Sequence, residues 1–200
     1  QRSVAQKSLD DERFNRYLPW IRTLPLFLET DTLRSVHAAW HYSSIQVLKE
    51  SRANDDSFVK RTLDKETAER KAVQNILSGI KVRLPLDPIL RDRFDVPREK
   101  GRVKWWKNLK GKSFADCLYS PMYPNVWDQA PSDQEIAQVE PYLEKDKLVC
   151  IGHYSLSPEI EKVMGPIVCV DGCVTKDKVL WAYRHNGESR PSSKNLITCG

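Results

Sequence analysis

Hydrophobic positions in this chain follow a helical spacing first and a strand-like spacing later. Leu9, Phe14, Leu18 and Ile21 recur at helical intervals, and Asp10, Asp11 and Glu12 stand where acids favour a helix N-terminus. The pattern predicts an amphipathic helix over residues 9–22, closed by Pro25. The apolar-rich runs 26–29 and 33–37 flank Thr30-Asp31, which predicts a hairpin whose second strand delivers His37 at its end. Residues 43–52 fit a short helix, residues 65–78 a longer one stopped by Gly79, and residues 132–142 a short one ending near Pro141. Four later runs, 148–151, 167–170, 179–183 and 196–198, are separated by Gly, Pro, Asp and Lys and read as consecutive strands, the later ones an antiparallel meander. Between the two halves, residues 82–131 hold six of the twelve prolines, which predicts a long irregular cap or insertion with room only for short strands.

Composition narrows the class. Two hundred residues, 40% apolar and 30% charged, suit one compact globular unit over 1–200. No apolar stretch approaches the ~20 residues of a membrane span, so membrane insertion is not expected. Residues 1–10 lack a basic start and an apolar core, so no secretory signal is read there, and a first residue Gln1 suggests a processed or incomplete chain. Five cysteines at irregular spacing argue against a disulfide framework and for a reducing cytoplasm. Cys150, Cys169 and Cys173 lie in or beside apolar runs without a Cys-x-x-Cys pair, which reads as small core residues and not as a zinc site. The net charge of +5 is concentrated: residues 98–112 carry seven bases and one acid, leaving the remainder near neutral. Such local basicity points to a phosphate-bearing partner or a solvated loop, not to a nucleic-acid binder.

Candidate chemistry centres on two histidines at the ends of apolar runs, His37 and His153. Each is, by itself, either a hydrogen-bonded strand-end histidine or a metal ligand delivered by a rigid strand into a loop. His37 and His41 are four apart, but Ala38 stands where a zinc-protease helix needs its glutamate. Arg102-Val103-Lys104-Trp105-Trp106-Lys107 interleaves cations with aromatic rings. That segment could grip phosphate and stack a base, or could anchor the proline-rich stretch through its tryptophans. Neither a Gly-x-Ser-x-Gly elbow nor a phosphate-binding glycine loop occurs.

Five strings together resemble one family, the bacterial calcineurin-like metallophosphoesterases of the serine/threonine protein phosphatase and diadenosine tetraphosphatase type. Leu24-Pro25-Leu26-Phe27-Leu28-Glu29 with Leu33-Arg34-Ser35-Val36-His37-Ala38-Ala39-Trp40 is similar to the family's Leu-Pro-Leu…Arg-Val-Val-His-Ala-Cys-Trp-Asp. Residues 76–85, Ile-Leu-Ser-Gly-Ile-Lys-Val-Arg-Leu-Pro, resemble Leu-Leu-Lys-Gly-x-Glu-x-x-Leu-Pro, and residues 102–106 resemble Arg-x-Arg-Trp-Trp. Cys150-Ile151-Gly152-His153-Tyr154-Ser155-Leu156 resembles Phe-x-Gly-His-Tyr-Trp-Leu, and residues 182–188 resemble Ala-Tyr-Arg-Trp-x-Gly-Glu. His41, Ser78, Lys81 and Ser155 depart from the family's Asp, Lys, Glu and Trp.

The resemblance implies an α+β fold, a calcineurin-like metallophosphoesterase β-sandwich flanked by helices. It implies two divalent metal ions (Mn, Fe or Zn) per intact site, one of them held by His37 and His153. His41, Arg102, Lys104, Trp105 and Tyr154 would then face the substrate: a phosphorylated small molecule, a dinucleotide polyphosphate or a phosphoprotein. The family's Gly-Asp-x-His-Gly, Gly-Asp-x-x-Asp-Arg-Gly and Gly-Asn-His-Glu motifs do not occur in the sequence. The expectation is therefore the C-terminal portion of a metal-dependent phosphoester hydrolase, missing an N-terminal segment, without a catalytic residue of its own and inactive alone. The alternative expectation is a non-catalytic phosphate- or nucleotide-binding module built on the basic Trp-rich segment.

Overall fold

A computed structural model describes residues 11–87, 89–91, 95–119, 128–156, 161–172, 174 and 178–199. Its centre is a five-stranded sheet. An antiparallel hairpin, β1 (Phe27–Glu29) and β2 (Leu33–Val36), forms around Thr30, whose hydroxyl accepts from the Leu33 amide. After it come helices α2 (Tyr42–Leu48), α3 (Asp56–Arg61) and α4 (Ala68–Ser78), α1 being Asp11–Thr23. The sheet is completed by β7 (Leu148–Ile151), β8 (Val163–Met164) and β9 (Ile167–Cys169), in the order β1-β2-β7-β9-β8. β2 pairs parallel with β7, and β7 parallel with β9, while β1 and β8 close the edges antiparallel.

The residue types explain this arrangement. β7 and β9 are apolar runs without alternation, as strands covered on both faces require. β7 and β9 are parallel neighbours, and of the expected strands the later two, β10 (Leu180–Tyr183) and β11 (Leu196–Cys199), form the antiparallel pair. Helices α2 and α4 pack on each other, burying Ile45, Leu48, Ala72 and Ile76. Leu48 and Ile76 are wholly buried, each side chain contributing about 1.5–3 kcal/mol. Thr67 caps α4 by accepting from the Arg70 amide, and Gly79 ends it at φ 76°, a conformation that needs glycine. The expected first helix forms as α1 despite Pro19 inside it, but Phe14, Tyr17, Trp20 and Ile21 are exposed.

The proline-rich middle is more regular than expected. It contains two antiparallel ribbons, β3 (Lys81–Arg83) with β6 (Lys100–Arg102) and β4 (Leu90–Arg91) with β5 (Pro97–Arg98), and one helical turn, α5 (Phe114–Cys117). The strands survive because they are two or three residues long, and Pro97 opens β5, a position that needs no ladder donor. Residues 120–127 of this segment lie outside the described residues. The 132–142 expectation reduces to α6 (Asp133–Ile136), capped by Ser132. The chain is thus mixed α+β, with one five-stranded sheet and three two-stranded ribbons among the described residues. No described helix is long and apolar enough to cross a membrane. Cys117 and Cys169 are buried free thiols, Cys150 is half-buried and Cys173 lies outside the described residues.

One side chain ties the hairpin to the rest. Arg34 donates to Glu29 Oε1 at 2.8 Å and to the hydroxyls of Tyr42 and Tyr142 at 3.1 Å each. Its guanidinium lies 4.8 Å from the Trp40 ring centroid, and the Tyr142 hydroxyl in turn donates to the Lys147 carbonyl at 2.6 Å. A planar fork of donors serves all three acceptors at once, which a lysine cannot do. Replacing Arg34 with Met is expected to lower unfolding free energy by about 2–3 kcal/mol, with Lys restoring less than half, measured by urea denaturation. A loss below about 0.5 kcal/mol for Arg34→Met would show that the cluster is incidental.

Candidate functional site

The parallel pairing of β2 and β7 aligns Val36 with Ile151, so both strands leave the sheet at the same edge. That edge, beyond the carboxyl ends of parallel strands, is where open α/β sheets bind ligands. His37 follows β2 directly, and its carbonyl accepts from the Gly152 amide at 2.9 Å, extending the ladder by one rung. His153 comes next on the other strand. The two imidazoles face each other with ring centroids 5.1 Å apart and planes inclined at 53°. Sequence separation of more than a hundred residues is therefore erased by one strand pair.

The turn that presents His153 is strained. His153 has φ 63° and Ser155 φ 48°, left-handed values that cost a non-glycine residue about 1 kcal/mol or more each. The Tyr154 amide donates to the Gly152 carbonyl at 2.7 Å, closing a three-residue turn with His153 at its apex. Neighbours hold this geometry. Tyr154 is buried, its hydroxyl accepting from Trp105 Nε1 at 3.0 Å and its carbonyl from the Tyr119 hydroxyl at 3.4 Å. Asp171 accepts from both the amide and the hydroxyl of Ser155, and its own carbonyl accepts from the Leu156 amide. Arg102 donates to the His153 carbonyl at 3.4 Å with its guanidinium over the Tyr154 ring. Gly152, by contrast, is not sterically required: an added Cβ would meet the His37 carbonyl at 3.5 Å, an ordinary contact.

Burial, followed by the positive charge of Arg102, the His37 ring and Lys81, pushes the His153 imidazole below its ordinary value. The ring is thus neutral at pH 7 and keeps a lone pair for a ligand. Among the described residues no group of three His, Cys, Asp or Glu is placed to hold a metal ion. What the edge offers is a pair of nitrogen donors.

The other expected site residues separate. Arg102 and Tyr154 stand beside His153, Arg102 from the neighbouring ribbon and Tyr154 as the buried plug under the turn. Trp105 is 1% exposed, packed edge-on against Trp106 and Tyr142. Of the two readings of the 102–107 segment the anchoring one describes Trp105, and neither Trp105 nor Tyr154, which was expected to face the substrate, offers a ring face to a ligand, because both fill the core. Lys104 is turned toward α5, donating to the Asp116 carbonyl at 3.1 Å. His41 is the N-cap of α2: its Nδ1 accepts from the Ser44 amide and lies 2.8 Å from the Ser44 hydroxyl, and its Nε2 lies 3.0 Å from the Gln138 carbonyl. Both ring nitrogens are therefore engaged, and the expected substrate contact through them is replaced by a capping role. Asp171 was not singled out from sequence; one carboxylate among 27 acids carries no local signal of its partner sixteen residues away.

Because the folded state holds His153 below its unfolded value of about 6.5, its contribution to stability is full above that pH and is lost as pH falls through the folded value. In metal-free protein the His153 Cε1 proton should titrate below pH 6.5 by NMR, and Arg102→Gln should raise that midpoint. A midpoint at or above the ordinary value would contradict the described environment. No family model, no curated protein and no solved structure matches the chain, so the site stands on its own residues.

Proposed function

We propose that the chain contributes to a metal-dependent phosphoesterase, with His37 and His153 as two ligands of one divalent cation. The observation that carries this reading is the convergence of these two imidazoles at the open edge of a parallel pair. Two imidazoles sharing one tetrahedral ion through bonds of ~2.1 Å have ring centroids ~5 Å apart. The 5.1 Å separation fits that requirement, and a neutral His153 fits the chemistry of a nitrogen donor. Mixed imidazole and carboxylate ligation suits Mn, Fe and Zn, and carboxylates supplied from beyond the described residues would complete the set. The strings shared with calcineurin-like metallophosphoesterases, and the α+β architecture with its histidines at strand ends, support the same assignment.

A bound pair of such ions supplies charge neutralisation at the phosphoryl oxygens and an acidified water as nucleophile. The chain's own residues orient and select. The Tyr154 plug and the Asp171 contacts fix the turn that aims His153, and Arg102 adds positive charge beside it. The substrate is accordingly a phosphate ester, small molecule or phosphoprotein. The alternative, a binding module that stacks a base on the Trp-rich segment, finds less support because Trp105 is buried.

In the complete natural protein, EDTA should abolish hydrolysis of p-nitrophenyl phosphate and Mn²⁺ should restore it. His37→Ala and His153→Ala should each reduce the Mn²⁺-dependent rate about a hundredfold or more, at unchanged thermal stability in EDTA. Hydrolysis insensitive to EDTA, or to both substitutions, would remove this reading.

A further inference from the structure

The ribbon β3–β6 carries an arrangement that costs stability and of which only the Arg102 end reaches the His153 turn. Lys81 pairs across it with Arg102, and Arg83 with Lys100. The residues between them, Val82 and Gly101, point inward and are buried, so all four cations share the outer face. Like charges directly opposite each other on a strand pair are destabilising. Lys81 feels this: burial, then Arg102, Lys100 and Arg98, hold its ammonium below the ordinary lysine value.

This face forms one wall of a cleft of about 750 Å³ between α4 and the segment that contains α6. Lys71, Lys81, Arg83 and Lys100 line it, against Glu135 and Glu140. Both carboxylates are already occupied. Glu135 accepts from the Arg83 amide at 2.6 Å and from the Ser132 hydroxyl, and Glu140 accepts from the amide and hydroxyl of Ser43. No carboxylate among the described residues forms an ion pair with Lys81, Arg83 or Lys100. On the α4 wall Gln74 and Ser78, four apart on one face, reach the cleft, and among the described residues the only ring in its lining is the imidazole of His41, buried as the cap of α2.

We propose that this cleft binds a hydroxyl-rich phosphate ester, a sugar phosphate with two or more negative charges. Lys81, Arg83 and Lys100 would meet the phosphate oxygens, and Gln74 and Ser78 the hydroxyls. The volume suits a small molecule, and the cations supply the charge-assisted hydrogen bonds that phosphate demands. A nucleotide fits less well, because the one ring in the lining, His41, is buried with both nitrogens engaged and leaves a base little face to stack on. The site stands on the ribbon and the cleft and needs no metal ion.

The test is calorimetric titration of the complete natural protein in EDTA with fructose 1,6-bisphosphate, AMP and inorganic phosphate as probes. The bisphosphate should bind saturably and about tenfold or more tighter than inorganic phosphate. Lys81→Gln and Lys100→Gln should each weaken it about tenfold while raising the melting temperature of the free protein, and His37→Ala should leave it unchanged. AMP binding as tightly as the bisphosphate would overturn the sugar assignment. Absence of saturable binding, or binding indifferent to both lysine substitutions, would overturn the site. Because EDTA removes the metal ions, these outcomes are independent of whether the histidine pair supports hydrolysis.

Discussion

Parallel pairing of β2 with β7 is the constraint on which the rest depends. It joins strands more than a hundred residues apart, and everything between them must return the chain to the same sheet. Its register sets Val36 against Ile151, and the next rung, Gly152 amide to His37 carbonyl, carries the alignment into the loops. A slip of one residue would turn every side chain of β7 to the opposite face, disrupting the packing on both sides, and would move His153 out of line with His37. The Arg34 cluster secures the pairing from the side. It links β1 and β2 to Tyr142, and Lys147, just before β7, pairs with Glu29 at 3.2 Å. Core packing and site geometry are thus products of the same register.

Strain is concentrated at the turn that the pairing exposes. Two non-glycine residues in left-handed conformation within three positions would not persist unless the surroundings determined them. The surroundings do so: buried Trp105 on Tyr154, half-buried Tyr119 on its carbonyl, and half-buried Asp171 on Ser155. The aromatic cluster that might have been a binding face is therefore the support of the turn. Positive charge collects on the neighbouring ribbon, where Arg102 touches the His153 carbonyl and Lys81 stands across from Arg102. Imidazoles and cations thus occupy adjoining surfaces, which suits chemistry on a negatively charged group.

Much of this was legible in the sequence where the signal is local. The 26–37 hairpin, the helix stopped by Gly79 and the apolar run before Gly152 follow from residue types within a few positions of one another. The strand-end placement of both histidines was legible for the same reason. Long-range pairing was not, since an apolar run does not encode its partner or its direction; hence the parallel pairing of β7 with β2 and β9 was not foreseen. His41 was expected to face the substrate, but its Nδ1 caps α2 and its Nε2 meets the Gln138 carbonyl, almost a hundred residues on. Trp105 shows the same limit, because alternating cations and aromatics read alike whether the ring faces a ligand or a core. The ribbon β3–β6 escaped notice because three-residue strands among prolines leave too short a pattern to detect.

The central claim is that His37 and His153 act as one donor pair. X-ray absorption at the zinc edge, on the complete natural protein loaded with Zn²⁺, measures this directly by counting imidazole ligands per ion. The account predicts that either His37→Ala or His153→Ala lowers that count, because both rings belong to the same coordination sphere. An imidazole count unchanged by both substitutions would contradict it.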